Sequence, residues 1–267
     1  MPGSIEPMNR PLDPTAAALA RLYDVDLLED PGDLDLYLAL AARTGGSILE
    51  LAVGSGRLAV PLATAGWQVT GVDMDAAMIA RARARAVAAG PESAARLDLI
   101  EADIAELHLA GRFGLAFIAL NTLLLLGDRA AQAAAVRTLA DHLRPGGVAV
   151  VDVWLPDADD LARYDGRLFL EYVRTDPDTG RTIIKTGAAL HDAASQTVAL
   201  SSIFDEAEQG EAPTRWVRRD RIRLVGADEL RGFAESAGLT VEVVAGGYTL
   251  EPIGPGATRA ILVATGS

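Results

Sequence analysis

The chain of 267 residues contains no cysteine, which removes disulfide bridges and thiolate chemistry from its repertoire. Lysine is almost absent: Lys185 stands alone, and arginine supplies every other one of the 24 Lys and Arg residues. Positive charge is outweighed, the net charge being −13, and this argues against a nucleic-acid partner, whose binding rests on neutralising phosphates. The arginines at 215, 218, 219, 221 and 223 stand close together, but their near-alternate spacing reads as the wet face of a strand. No apolar run approaches the roughly 18 residues that a membrane-spanning helix needs. The opening Met-Pro-Gly-Ser-Ile-Glu-Pro lacks the basic-then-apolar order of a secretory signal, so a soluble cytoplasmic protein is expected. The three histidines, His108, His142 and His191, are too scattered for a metal-ligand spacing, and no metal is expected. His142 falls near the end of a helical stretch and is expected to face solvent or the helix end.

Half of the residues are hydrophobic, enough for one generous domain or one domain carrying an insertion. After a proline-bearing lead-in over residues 1–14, helical spacing runs from Thr15 to Tyr23 and from Asp33 to Arg43. Strands and helices then alternate. The pattern predicts strands over Ile48–Val53, Trp67–Val72, Leu97–Ile100, Gly114–Leu120 and Gly147–Val153, with helices over Leu58–Ala65, Ala76–Ala89 and Arg129–Leu143. Apolar strands with little alternation, each followed by a helix, predict an α/β fold with a parallel sheet covered on both faces. The rhythm changes after Trp154. Four alternating stretches, Arg167–Thr175, Arg181–Leu190, Thr197–Phe204 and Thr214–Leu224, are separated by turn chemistry and predict an inserted antiparallel sheet. A helix over Ala227–Ala237 and two strands, Leu239–Ala245 and Thr258–Ala264, close the chain. The domains expected are a helical cap over 1–45, a main domain built from 46–154 and 226–267, and the insertion over 155–225.

The first strand ends in Glu50-Leu-Ala-Val-Gly54-Ser55-Gly56. Glycines at a strand-to-helix turn let the backbone approach a ligand, and the helix that follows offers unpaired N–H groups. An acid four residues before Gly54, with a second acid, Asp73, closing the next strand, suits a ligand that carries a cationic amino-acid end and a ribose. S-adenosylmethionine is such a ligand. Gly54-Ser-Gly56-Arg57-Leu-Ala59 also satisfies the looser dinucleotide pattern, so the turn alone does not separate a methyltransferase from a nicotinamide enzyme. Three features favour the former. Glu50 would repel a pyrophosphate, Asp103 follows the third strand where it can accept from an adenine amine, and the chain ends helix–strand–strand after Leu143-Arg-Pro-Gly-Gly147.

Those residues resemble the class I S-adenosylmethionine-dependent methyltransferases, from about Tyr23 through Val153 and again from Asp228 onward. The resemblance implies a Rossmann-like seven-stranded sheet and the cofactor S-adenosyl-L-methionine. It places the methionine end at Glu50, Gly54 and Gly56, the ribose at Asp73 with Met74 beside the adenine, and Asp103, flanked by Ile104, at the adenine. Ala52, Ser55, Arg57, Met78 and Ala102 are further cofactor-binding candidates. Asp103 also reads as a turn cap, and Met78 as a core residue. Asn121, at the end of the fourth strand, is placed to touch the methionine end, an acceptor, or only its own turn.

Within the class the chain is similar to small-molecule enzymes with an antiparallel lid after the fifth strand, the nucleotide-sugar amine N,N-dimethyltransferases and glycine-type N-methyltransferases. The implied reaction is methyl transfer to nitrogen or oxygen of a small metabolite. Candidate acceptor residues are Tyr37, Asn121, Trp154 and Tyr248, with Tyr23 as the hydroxyl expected beside the transferring methyl. Exposed lid edges would permit a homodimer. A silent S-adenosylmethionine-binding module and a nicotinamide-dependent oxidoreductase are the alternatives.

Overall fold

The computed structural model describes residues 12–208 and 210–266; most of the expected lead-in, residues 1–11, lies outside them. Helix α1 (Pro14–Asp26) begins where Asp13 caps the Thr15 N–H and Pro14 takes the first helical position, which needs no N–H. Helix α2 (Leu34–Thr44) leads into strand β1 (Ile48–Leu51), all four residues of which are buried. The chain continues through α3 (Ala59–Thr64), β2 (Val69–Asp73), α4 (Ala76–Ala89), α5 (Pro91–Arg96), β3 (Leu97–Glu101), β4 (Phe113–Ile118), α6 (Thr122–Leu125), α7 (Arg129–His142) and β5 (Leu143–Trp154). Then come α8 (Ala158–Arg163), β6 (Asp165–Thr175), β7 (Thr182–Asp192), β8 (Thr197–Ala207), β9 (Thr214–Arg223), α9 (Ala227–Ser236), β10 (Thr240–Ala245) and β11 (Arg259–Thr265).

The main sheet has seven strands in the order β10-β11-β5-β4-β1-β2-β3. Strands β1 to β5 pair in parallel, and β11 runs antiparallel to both β5 and β10. The order turns back on itself between β1 and β4, where open α/β sheets bind ligands beyond their strand ends. Two apolar clusters cover the faces. Leu49, Leu51, Ile118 and Val151 pack toward α7 and α9, and Ile48, Leu115, Phe117 and Val150 toward α2 and α3.

The expected α/β class, seven-stranded sheet and separate four-stranded sheet are all present. Differences are local. Helices α5, α6 and α8 span 6, 4 and 6 residues, too short to display a helical period. Strand β5 begins at Leu143 rather than Gly147, because Phe113 pairs with Leu143 and Leu115 with Val148, so that Arg144–Gly147 bulges outward. His142 does not face solvent: it is 2% exposed, its Nε2 accepts from the Leu109 N–H at 2.8 Å, and its Nδ1–H donates to the Thr138 carbonyl at 2.7 Å. It staples the β3–β4 connection to α7.

The second sheet, β6-β7-β8-β9, is antiparallel throughout. Ile183 and Phe204 on its inner face pack against Leu22 and Val25 of α1, while Ala189, Val198 and Ile222 join the main core. Of the β9 arginines, 215, 219 and 221 are exposed; Arg218 lies on the inner side and pairs with Asp220 at 2.7 Å. Among the described residues no helix is long and apolar enough to cross a membrane.

Candidate active site

The turn after β1 is left-handed at alternate residues: Ala52, Gly54 and Gly56 have φ of 59°, 54° and 79°. At Ala52 this is a strained conformation for a residue with a Cβ. At Gly56 an added Cβ would stand 3.1 Å from both Ala82 and Val60 side chains, so α3 and α4 close directly on the turn. Gly71, beside Glu50 in β2, has the same role below it, since a Cβ there would meet Val53 at 2.7 Å.

Glu50 is an acid inside a buried strand, only 4% exposed. Burial pushes its carboxyl up to about 8, opposed by the Arg57 charge and the Ala59 N–H and helped by Asp33. Its Oε2 has no hydrogen-bond partner, and only the Tyr37 hydroxyl shares that condition among buried side-chain polar atoms of the described residues. An orphaned carboxylate oxygen in a dry site is costly unless a ligand donor completes it. The ammonium of an amino-acid-bearing ligand is such a donor, so the residues present fit the methionine end of S-adenosylmethionine.

Asp73 ends β2 at 9% exposure. Its Oδ2 accepts from the Gly54 N–H at 2.8 Å and its Oδ1 from the Asp75 N–H at 2.9 Å. Burial raises its pKa against those two bonds. The carboxylate thus braces the glycine turn and keeps spare lone pairs for a diol. Ala102 donates its N–H to the Asp73 carbonyl at 3.0 Å, which draws the β3 exit to the same edge. Asp103 is exposed and caps its own turn through the Ala105 N–H at 2.8 Å; Ile104 is buried and Met74 is 73% exposed. Met78 is half-buried on α4.

Two of the residues assigned to the cofactor loop are engaged elsewhere. Arg57 forms a two-pronged pair with the fully buried Asp33, at 2.6 and 2.7 Å. Ser55 donates to Asp24 of α1, which also receives Arg81 at 2.8 Å and Arg85 at 3.1 Å. Neither Asp33 nor the hub at Asp24 announces itself in the sequence: Asp33 reads as the start of α2, although its side chain caps nothing there. The hub seats Tyr23 over the turn, its ring edge 3.8 Å from where a Gly54 Cβ would stand. Burial pushes the Tyr23 hydroxyl up to about 12, with Arg57 opposing and Glu50 and Asp24 adding to it. It stays a neutral phenol.

Asn121 follows Leu120 at the β4 exit, both left-handed, with φ of 67° and 48°. Its Oδ1 accepts from the Trp154 N–H at 2.6 Å, and its own N–H reaches the Asp152 carbonyl at 3.1 Å. Asp152 is fully buried and collects the Leu120 N–H at 3.2 Å, the Tyr248 hydroxyl at 2.9 Å and Arg259. Its signal was available as a lone acid in the apolar run Val148–Trp154. Tyr248 is therefore tied to Asp152, and Tyr37 lies in the core with its ring 4.3 Å from Phe117 at 0% exposure. Tyr23 lies over the β1 exit, and Asn121 meets Trp154 at the β4 exit. Among the described residues, no group of three or more His, Cys, Asp or Glu is placed to hold a metal ion.

A glycine turn at the sheet's switch point, with a buried acid at the first strand and a second acid at the next, is the arrangement in which open α/β sheets hold nucleoside ligands. Residues 48–147 match the family described as Methyltransferase domain. Over 208 residues the chain is 29% identical to the cypemycin N-terminal methyltransferase of a Streptomyces species, covering 78% of each. It is 25% identical over 216 residues to the dTDP-3-amino-3,4,6-trideoxy-alpha-D-glucopyranose N,N-dimethyltransferase of Streptomyces venezuelae, covering 80% of this chain and 84% of that one. Among solved structures, the CcbJ methyltransferase of Streptomyces caelestis superposes with a TM-score of 0.75 at 24% identity, over 91% of this chain and 98% of its own. Residues 48–147 thus carry a methyltransferase domain, and over most of its length the chain is similar to methyltransferases.

Proposed function

We propose that this enzyme methylates a nitrogen of a small metabolite. The observation that carries the reading is the buried Glu50 carboxylate with its unpartnered Oε2 beside a left-handed glycine turn. Glu50 receives the ammonium of the methionine end, the turn from Ala52 to Gly56 lies along it, and Asp73 takes the ribose hydroxyls. Asp103, Ile104, Ala102, Met74 and Met78 border the adenine, and Arg57 shapes the loop from its pair with Asp33. The choice of nitrogen follows the two curated relatives, one named for an N-terminal methyl transfer and the other for an N,N-dimethyl transfer.

Residues 46–154 and 226–266 form the cofactor-binding domain, the described part of 1–45 its helical cap and 155–225 the lid over the acceptor. Bound S-adenosylmethionine supplies an electrophilic methyl: the acceptor nitrogen's lone pair forms the new N–C bond, the C–S pair stays on sulfur, and nitrogen sheds a proton. The chain itself has to align and to exclude water, and alignment contributes up to about 7–11 kcal/mol in favourable cases. Tyr23 covers the turn and presents a hydroxyl to the reacting end, while Asn121 and Trp154 shape the opposite side. Tyr37 and Tyr248 support these from beneath. We place the enzyme in the cytoplasm, with a homodimer formed through the lid's exposed edge strand β6.

The test is incubation with methyl-labelled S-adenosylmethionine and binding of S-adenosylhomocysteine measured by calorimetry. Micromolar binding, abolished or strongly weakened in Glu50→Gln and Asp73→Asn together, is expected. A wild-type protein that binds neither compound would end this reading.

A further inference from the structure

A cavity of about 350 Å³ opens on the inner face of the four-stranded sheet. Its walls include Tyr164, Phe169, Glu171, Lys185, Leu200 and Ser202. The volume lies in the range of small-ligand sites. Two contacts connect it to the residues described above. The Tyr164 ring stands 6.1 Å from that of Trp154, whose N–H holds Asn121. On the other side Lys185 Nζ reaches Asp26 at 2.9 Å, one helical turn after Tyr23 on α1.

Gly187 lies next to the cavity, opposite Phe169 in β6 and Ser202 in β8. A Cβ at this position would lie 2.2 Å from Glu171 Oε1 and 2.9 Å from the Phe169 ring, so both side chains lie down across the bare backbone. Glu171 sits at a register shift in β6, between Leu170 and Tyr172, and this turns its carboxylate inward beside Phe169. Lys185 holds its Oε2 at 2.8 Å; among the described residues its Oε1 has no hydrogen-bond partner. The charges do not cancel. One lysine faces two carboxylates, Asp26 and Glu171, while on the same face Arg218 pairs with Asp220 and Glu206 with Arg21. Arg174 is directed to the Val25 and Asp26 carbonyls and to Glu29. A cavity with aromatic walls, one free carboxylate oxygen and an excess negative charge favours a cation.

We propose that this cavity is the acceptor subsite and that Glu171 Oε1 accepts a hydrogen bond from the acceptor's amino group, with Lys185 fixing the carboxylate and Gly187 leaving room for it. The inference rests on the methyl-transfer reading and deepens it: Glu171 selects amines over alcohols of the same shape.

The experiment uses the full chain with labelled S-adenosylmethionine and three amines, cyclohexylamine, 2-aminoethanol and glucosamine. Their hydroxyl counterparts, cyclohexanol, ethylene glycol and glucose, are assayed beside them. Label is expected in one or more amines and in no alcohol. Glu171→Gln is expected to raise KM for the best amine by about 10-fold or more and to change kcat less, with S-adenosylhomocysteine affinity held within about twofold. Glu171→Asp should recover part of the loss. Gly187→Val should block turnover with cofactor affinity intact; if that variant does not fold, the two Glu171 variants decide alone. Label in an alcohol, an unchanged KM in Glu171→Gln, or no labelled amine while S-adenosylhomocysteine binds, each overturns the proposal. Failure of the wild type to bind S-adenosylhomocysteine removes the methyl-transfer reading, and this subsite with it.

Discussion

The tips of the parallel strands and the inserted sheet hold their functional groups in opposite ways. At the tips, Glu50, Asp73 and Asp152 are 4%, 9% and 0% exposed and are set by backbone register, glycine contacts and N–H donors. In the insertion, β6 is exposed at nine of its eleven positions. The sheet meets α1 through a small apolar cluster, Leu22 and Val25 with Ile183 and Phe204. Partly buried charged pairs flank it, Arg21 with Asp176 and Glu206, and Lys185 with Asp26. Buried strands fix atoms through many apolar contacts at once, whereas a half-buried ion pair holds only while both partners stay in place. Under the methyl-transfer reading proposed above, such a contrast would give a rigid cofactor side and an adjustable acceptor side.

This contrast can be broken most forcefully at Asp33. Asp33→Ala leaves the Arg57 guanidinium without its buried partner and should cost about 3–5 kcal/mol in urea unfolding. Lys185→Met in the insertion should cost clearly less; equal costs would erase the distinction between the regions.

Next comes the Glu50 carboxyl. Its folded value of about 8 lies above the ordinary 4.5, so the folded state holds a proton that the unfolded chain has released between those values. Stability from this group is fully present below about pH 4.5 and is lost as pH rises toward 8, by up to about 1.4 kcal/mol per unit. Glu50→Gln mimics the protonated form, so the free variant should be the more stable, by about 3 kcal/mol at pH 7, with the gap closing near pH 4.5. A gap that does not change with pH would show that Glu50 is already solvated or paired.

A smaller effect is expected at the hub. Asp24→Asn loosens Ser55, Arg81 and Arg85 and should weaken S-adenosylhomocysteine binding by about 3- to 10-fold, while speeding hydrogen exchange in α1. Unchanged exchange would mean that α1 is held by its apolar face alone. Smallest of all is the surface: Arg43→Ala removes an exposed pair with Glu242 and should shift stability by no more than about 0.5 kcal/mol.

The same contrast governs what could be read from the sequence. The parallel strands announce themselves because burial on both faces demands unbroken apolar runs, and Glu50 stands out as an acid in one of them. The four inserted strands were legible from alternation and turn residues, within a few residues at each end. What escaped depends on tertiary approach. The two-pronged Asp33–Arg57 pair joins residues 24 apart, and the Asp24 hub links α1 to α4 across 57. No local period records such pairings. The close approach at Gly114, where a Cβ would stand 1.9 Å from the Gly45 carbonyl oxygen, is equally silent in sequence. Tyr37 and Tyr248 show the converse: their residue type suggests a wet pocket edge, yet one is core and the other is bound to a buried acid.

Calorimetric titration of the wild type and Glu50→Gln with S-adenosylhomocysteine and with 5′-methylthioadenosine, which lacks the amino-acid end, tests the central claim most directly. If Glu50 receives the ammonium, the variant loses about 10-fold or more in affinity for the first ligand and almost none for the second. Equal losses for both, or an undiminished preference for S-adenosylhomocysteine, would contradict it.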